Sequence, residues 1–181
     1  MGDYRFAILG LGWILFSLPF IRVIRTSKPE KVDRRARWGV MIQGLGYAVI
    51  WYGPFWFRTP EAWEVAAGAL FFVVAHVLAW TATGALGRHW RVEAGLSPDH
   101  ELVRSGPYRF IRHPIYAAMM AMLLGTGFLI APLVRIPFAL AIFIVGTEIR
   151  VHIEDALLAS RFGETFHAYQ RNVAAYIPFV R

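Results

Sequence analysis

Residues 100–116 read HELVRSGPYRFIRHPIY, a polar and strongly basic island between long apolar segments. Within it, Arg112 and His113 stand directly before Pro114 and an apolar run that begins at Ile115. A guanidinium and an imidazole at the edge of such a run are costly to keep, and ionisable groups at a membrane edge mark function by default. A second polar cluster, residues 150–169, contains Arg150, His152, Glu154 and Asp155. Arg150 and Glu154 are four positions apart, so a helix places them on one face. Two readings of that pair stay open. It is a surface ion pair worth about a few tenths of a kcal/mol, or a clamp in which Arg150 grips a carboxylate through two hydrogen bonds.

Brought together, His100, Tyr108, Arg112, His113, Tyr116, Arg150, His152, Glu154 and Asp155 make a rim of mixed charge. Such a rim suits a small ligand that carries both a positive and a negative group. Other chemistry finds little support. The chain has no cysteine to act as nucleophile, thiolate ligand or disulfide partner. No histidine spacing demands a metal. Ser105 lacks the setting of a hydrolase nucleophile, and no glycine-rich nucleotide fingerprint or phosphate loop is present. His76 lies within an apolar run and reads as a hydrogen-bonded interior residue, while His89 and His167 read as peripheral.

Two distant segments must therefore be made to meet, and the rest of the chain shows how. Of 181 residues, 57% are hydrophobic and 17% charged, with 14 Phe and 7 Trp, a composition of multi-span membrane proteins. The net charge is +7, but the basic residues flank apolar runs rather than forming an aromatic-interleaved strip. That pattern argues for lipid headgroups as neighbours and against nucleic acid. The opening residues MGDYRF lack a basic leader region and the first apolar run is followed by a basic stretch, so that run reads as a retained span.

Apolar runs predict spans at 6–24, 38–57 and 62–86. Residues 115–147 are too many for one span and too few for two full ones. Pro132, Arg135 and Pro137 interrupt them, which predicts a tight helical hairpin turning near 131–136. Its second arm is expected to continue as helix to about Phe162. The fold expected is an all-α integral membrane protein with about five transmembrane helices, the last two a short helical hairpin. Sixteen of the nineteen basic residues then share one side, and the positive-inside rule places the amino terminus outside and the carboxyl terminus in the cytosol. A four-span arrangement would instead separate His113 and the tail across the bilayer. Residues 1–86 are expected to form an amino-terminal three-helix membrane region and residues 87–181 a catalytic region, joined as one structural unit.

The pieces HELV (100–103), GPY (106–108), RHPIY (112–116), Arg150, Glu154 with Asp155, and FGETFHAYQRNVAAYIPF (162–179) match together in order and spacing. Over about the last ninety residues the chain thereby resembles the isoprenylcysteine carboxyl methyltransferase family and its relatives among membrane phospholipid methyltransferases. The resemblance implies an integral membrane enzyme that uses S-adenosylmethionine. It implies a cytosolic pocket without a Rossmann fold, formed by residues 87–114 and the carboxyl-terminal helix, beneath a tunnel open to lipid. It further implies that His100, Leu102, Val103, Tyr108, Arg112, His113, Tyr116 and Glu154 bind the cofactor, with residues 100–103 strand-like. Arg150 and Glu154 are implied to stand closest to the reacting centre, and the methyl acceptor to be a lipophilic or lipidated molecule. Asp155 departs from the family, which often has a second glutamate there.

Three chemistries follow. A carboxylate acceptor is already ionised at neutral pH and needs no general base. The amine acceptor of a phospholipid N-methyltransferase must first lose a proton, for which Glu154 or His152 would serve. Membrane sterol reductases, which use NADPH, share a His-Pro-x-Tyr unit and stand as the third reading. A scaffold or permeation role is weakened because the spans carry no run of polar residues along their length.

Overall fold

Where apolar runs carry few charges and are punctuated by proline and glycine, helices are the only elements that satisfy their own backbone in lipid. The computed structural model describes residues 4–23, 31–54, 58–90, 94–96 and 100–177. Its helices are α1 (Tyr4–Val23), α2 (Ala36–Trp51), α3 (Ala62–Leu86), α4 (Pro114–Ile130), α5 (Arg135–Phe162) and α6 (Glu164–Asn172). Two short strands, β1 (Lys31–Val32) and β2 (Gly95–Leu96), pair antiparallel. By length and composition, α1, α3 and α5 can each cross a membrane. Helix α4 is apolar but has only 17 residues.

The second expected span is shorter than its apolar run. Helix α2 stops at Trp51, because Gly53 takes a left-handed φ of 88° and Pro54 cannot continue a helix. Residues 55–57 of that run lie outside the described residues, as do residues 24–30 of the basic stretch that precedes α2. The hairpin forms between α4 and α5. Ala131 caps α4 by donating to the Gly127 carbonyl at 2.9 Å, and Pro132 ends the helix. Helix α5 restarts at Arg135, so Pro137 falls in its first turn, where a missing N–H breaks no bond. The Arg135 guanidinium donates to the Tyr52 carbonyl and lies 5.4 Å from that ring, fastening the turn to the end of α2.

Helix α2 packs on α5 and α3 on α4, with α1 against α3. Both main crossings are glycine-to-glycine. A Cβ on Gly39 would stand 2.7 Å from the Gly146 carbonyl oxygen, and one on Gly146 would stand 2.6 Å from that of Gly39. Gly68 and Gly125 face each other likewise, at 3.1 and 3.0 Å. Small residues let backbones touch where lipid offers no hydrophobic drive to association. The core around them holds Phe16, Ile50, Phe72, Met122, Leu129 and Phe143.

Some polar groups inside the bundle are paired across helices. Gln43 Nε2 donates to Thr147 Oγ1 at 2.9 Å, and Thr147 passes its proton to the Phe143 carbonyl, also at 2.9 Å. His76 reaches the Gly12 carbonyl at 3.0 Å, so it is an interior bridge between α3 and α1. At the end of the bundle where α3 begins and α4 ends, Arg58 pairs with Glu64 and donates to the Phe128 carbonyl at 3.2 Å. The opposite end is where the two polar clusters meet.

Candidate active site

Pro114 begins α4, so the residues before it sit at a helix start without needing its N–H. The chain of the tail runs beside them. Arg112 N–H donates to the Ala174 carbonyl at 2.8 Å and His113 N–H to that of Ala175 at 2.7 Å. The tail can do this because α5 ends at Gly163, whose φ of 51° suits glycine and reverses the chain into α6. Helix α6 then lies back toward α5.

Five charged groups converge there. Arg112 Nη2 lies 3.1 Å from Asp155 Oδ2, and Arg112 Nη1 donates to the Gln170 carbonyl at 3.2 Å and to that of Val173. A cation among the last carbonyls of α6 is favoured by the helix dipole. Gln170 Nε2 donates to Asp155 Oδ2 at 3.0 Å. His113 Nε2 is 2.9 Å from Asp155 Oδ1, and its Nδ1 is 3.5 Å from Glu154 Oε2. Glu154 Oε1 accepts from the Tyr116 hydroxyl and from Arg150 Nη2, the latter at 3.1 Å. The Arg150 guanidinium lies 5.3 Å from the centre of the Tyr116 ring.

Burial by itself disfavours a charged imidazole at His113. The carboxylates of Asp155 and Glu154 outweigh it and lift the group from 6.5 to about 9. At neutral pH three cations, Arg112, His113 and Arg150, thus face two carboxylates. Nearby, burial pushes the Tyr108 phenol well above its usual value. The Tyr108 carbonyl accepts from the Tyr169 hydroxyl at 2.5 Å, which ties the 3₁₀ turn Gly106–Arg109 to α6.

Tyr108, Arg112, His113, Tyr116, Arg150 and Glu154 border one cavity of about 590 Å³, within the range of small-molecule sites, while Asp155 stands behind its wall. One part of its wall is polar: His89, His100, Tyr108, His113, Tyr116, Arg150 and Glu154. The other is apolar and comes from the first half of the chain and α4: Phe16, Phe20, Val40, Tyr47 and Met119. Arg150 borders the cavity, and its side chain packs on Gly39 of α2.

Of the residues expected to act, His100, Tyr108, Arg112, His113, Tyr116, Arg150 and Glu154 all border this cavity. Leu102 and Val103 do not, and residues 100–104 are neither strand nor helix. The strand partner nearby, β1, is taken at residues 95–96. Arg112 borders the cavity with a guanidinium committed to Asp155 and α6. His152, expected in the rim, points away: its side chain is 63% exposed and its Nδ1 is 2.8 Å from the Glu148 carbonyl. Positions two apart on a helix do not share a face, so His152 cannot join Arg150 and Glu154. His89, expected at the periphery, is buried with its ring 5.2 Å from that of His100. Sequence reasoning missed Gln43 and Tyr47, although a lone amide in the apolar run of α2 was a visible signal. Among the described residues no cluster of three or more His, Asp or Glu is placed to hold a metal ion.

The chain is similar in sequence to known proteins. A sequence model of the isoprenylcysteine carboxyl methyltransferase (ICMT) family matches residues 68–160. The protein-S-isoprenylcysteine O-methyltransferase of Tribolium castaneum is 34% identical over 121 residues, which is 65% of this chain and 43% of that protein. The Schizosaccharomyces pombe protein of the same name is 34% identical over 83 residues, 45% of this chain and 35% of its own length. That of Rattus norvegicus is 29% identical over 122 residues, 66% and 43% respectively. The matched stretch spans less than half the length of each of these three relatives.

Proposed function

Because the chain belongs to the isoprenylcysteine carboxyl methyltransferase family, we propose that it is an integral membrane, S-adenosylmethionine-dependent methyltransferase that O-methylates the carboxylate of a lipidic, prenylcysteine-like acceptor. The observation that carries this reading is one cavity with a charged wall that includes Arg150 and an apolar wall. The reductase alternative draws no support from the family match.

The donor set fits the cofactor. It is an amphoteric molecule with a sulfonium, an ammonium, a carboxylate and a nucleoside. Glu154, steadied by His113, would meet its positive groups, and His100, Tyr108 and Tyr116 would flank its rings. Arg112 acts behind them by holding Asp155. When bound, S-adenosylmethionine supplies an electrophilic methyl group. Leu102 and Val103 are left to steady the 100–104 segment.

Arg150 presents a planar fork of donors. Glu154 and the Tyr116 ring fix that fork in place, and one acceptor carboxylate oxygen held by it leaves the second oxygen to attack. The acceptor is ionised already, so no residue has to remove a proton. The apolar wall would take the lipid chain and keep water from the reacting groups.

In this reading all five helices α1–α5 cross the bilayer, with the cavity at the cytosolic face, the amino terminus outside and the carboxyl terminus inside. Residues 1–86 and 87–181 both contribute to the apolar wall, residues 87–181 supply the charged one, and the two regions work as one unit. The test is methyl transfer from labelled S-adenosylmethionine to a farnesylated thioether acid by the protein purified in detergent. Alkali-labile label, released as methanol, is the result expected. Alkali-stable label on an aminolipid would replace the ester reading with the amine one.

A further inference from the structure

A second concavity, of about 620 Å³, lies between the start of α2 and the far part of α5 and shares no residue with the cavity above. Arg35, Trp38, Ile149, His152, Ile153 and Ala156 line it. Residues 149, 152, 153 and 156 follow helical spacing, so they form one face of α5, while Arg150 and Glu154 stand on another. Trp38 and the His152 side chain are both 63% exposed. Toward the middle of the two helices the apolar surface continues through Met41 and Leu45 on α2 and Val145 on α5, all exposed. Along α5, residues 149–156 lie about 21–32 Å from its start at Arg135. For a helix that crosses a hydrocarbon core of roughly 30 Å, that is the level of the lipid headgroups, where tryptophan gathers.

Arginine sets the charge at this level. Asp33 takes Nε and Nη2 of Arg35, at 3.1 and 2.6 Å, which holds the guanidinium in place and leaves the two protons of Nη1 for another acceptor. Arg34 and Arg37 are exposed beside it. The two carboxylates nearby are occupied. Asp33 is committed to Arg35, and Glu148 accepts from the Tyr176 hydroxyl at 2.7 Å. The first turn of α2 contains no acidic residue, although a helix start favours negative charge. The patch thus attracts a phosphate and disfavours the ammonium of a zwitterionic headgroup. We propose that this concavity binds an anionic phospholipid of the surrounding bilayer, with its phosphate at Arg35 and an acyl chain along Trp38, Met41 and Ile149. The site rests on α5 crossing the bilayer and not on the reaction proposed above. A lipid seated there spans α2 and α5 one residue from Gly39, where Arg150 packs.

Native mass spectrometry of the protein in detergent measures its affinity for dioctanoyl phosphatidylglycerol and for dioctanoyl phosphatidylcholine. The wild type is expected to bind the first about 10-fold more tightly, and Arg35→Gln to bring the ratio close to one. Ala156→Trp changes no charge but fills the concavity at an exposed position, and it should weaken phosphatidylglycerol binding to a similar degree. Arg109→Gln removes an equal charge from the exposed 3₁₀ turn at the same end of the bundle and should keep the preference. Equal binding of the two lipids by the wild type overturns the proposal without any variant having to fold. An undiminished preference in Ala156→Trp does so too, as does a loss in Arg109→Gln as large as that in Arg35→Gln, the mark of diffuse attraction by net charge. Turnover plays no part in the readout, so an absence of methyl transfer would sink the methyltransferase reading and leave this site standing.

Discussion

His113 and Asp155 are 42 residues apart in sequence and 2.9 Å apart in the structure, and their contact joins the start of α4 to the last third of α5. Asp155 also receives Arg112 and Gln170, so one short carboxylate organises three donors. The family's frequent glutamate at this position would be a methylene longer, yet the aspartate here reaches all three.

The pH dependence of stability follows from His113. Its folded-state value, about 9, is raised above the unfolded 6.5. The stabilisation is therefore fully present below about 6.5 and is lost as pH rises through about 9. Thermal unfolding in detergent should show a melting temperature that declines between pH 7 and 10. Asp155→Asn removes the first carboxylate that raises His113, so it should lower stability by about 1–3 kcal/mol at pH 7 and move the decline to lower pH. A pH profile identical to that of the wild type would refute the assignment.

Arg150→Lys tests the clamp. Lysine keeps the charge but loses the planar fork and the stack on Tyr116. We expect kcat/KM for the acceptor to fall about 100-fold, with S-adenosylmethionine affinity changed much less. Glu154→Gln should do the reverse, weakening cofactor binding in calorimetry because it removes the carboxylate proposed to meet the cofactor's positive groups. If both variants impaired the two affinities equally, the division of labour would be wrong.

The α2–α5 crossing should tolerate no side chain at Gly39. An alanine Cβ there would stand 2.5 Å from Arg150 Cγ and 2.7 Å from the Gly146 carbonyl oxygen. Gly39→Ala is expected to destabilise by about 1–3 kcal/mol and to lower activity by displacing Arg150. Gly10→Ala, with nothing within 4 Å of its added methyl, is the control and should melt at or above the wild-type temperature. Paired melting curves and turnover rates decide the matter.

Topology can be read without background labelling, because the chain contains no cysteine. Ser105→Cys and Thr165→Cys should react with a membrane-impermeant maleimide only from the cytosolic side. Leu133→Cys, in the exposed turn between α4 and α5, should react only from the other side. Thr165→Cys labelled from the outside would remove the five-span reading.

The hairpin was legible because Pro132 and Pro137 fall where a helix cannot continue, and the third apolar run coincides with α3 at both ends. The pair Arg150 and Glu154 was legible because four-residue spacing on a helix dictates a shared face. His152 was misplaced by treating nearness in sequence as nearness in space; two residues along a helix is the far side. Gln43 escaped notice for a different reason: its lone amide was visible in the apolar run of α2, but the glycine contacts that bring α2 against α5 carry no local periodic signal. Leu102 and Val103 belong to a segment that looks strand-like in sequence and pairs with no strand in the structure.

Arg112 and the Val173 carbonyl it binds are separated by 61 residues. At ribosomal speeds that interval lasts about 3–12 s. For that time a newly inserted chain shows the translocation machinery a lone guanidinium at the lipid boundary, with Asp155 and α6 still unmade or unfolded. The cluster is thus a late keystone: the protein can hold its bundle in the bilayer before it can hold a ligand.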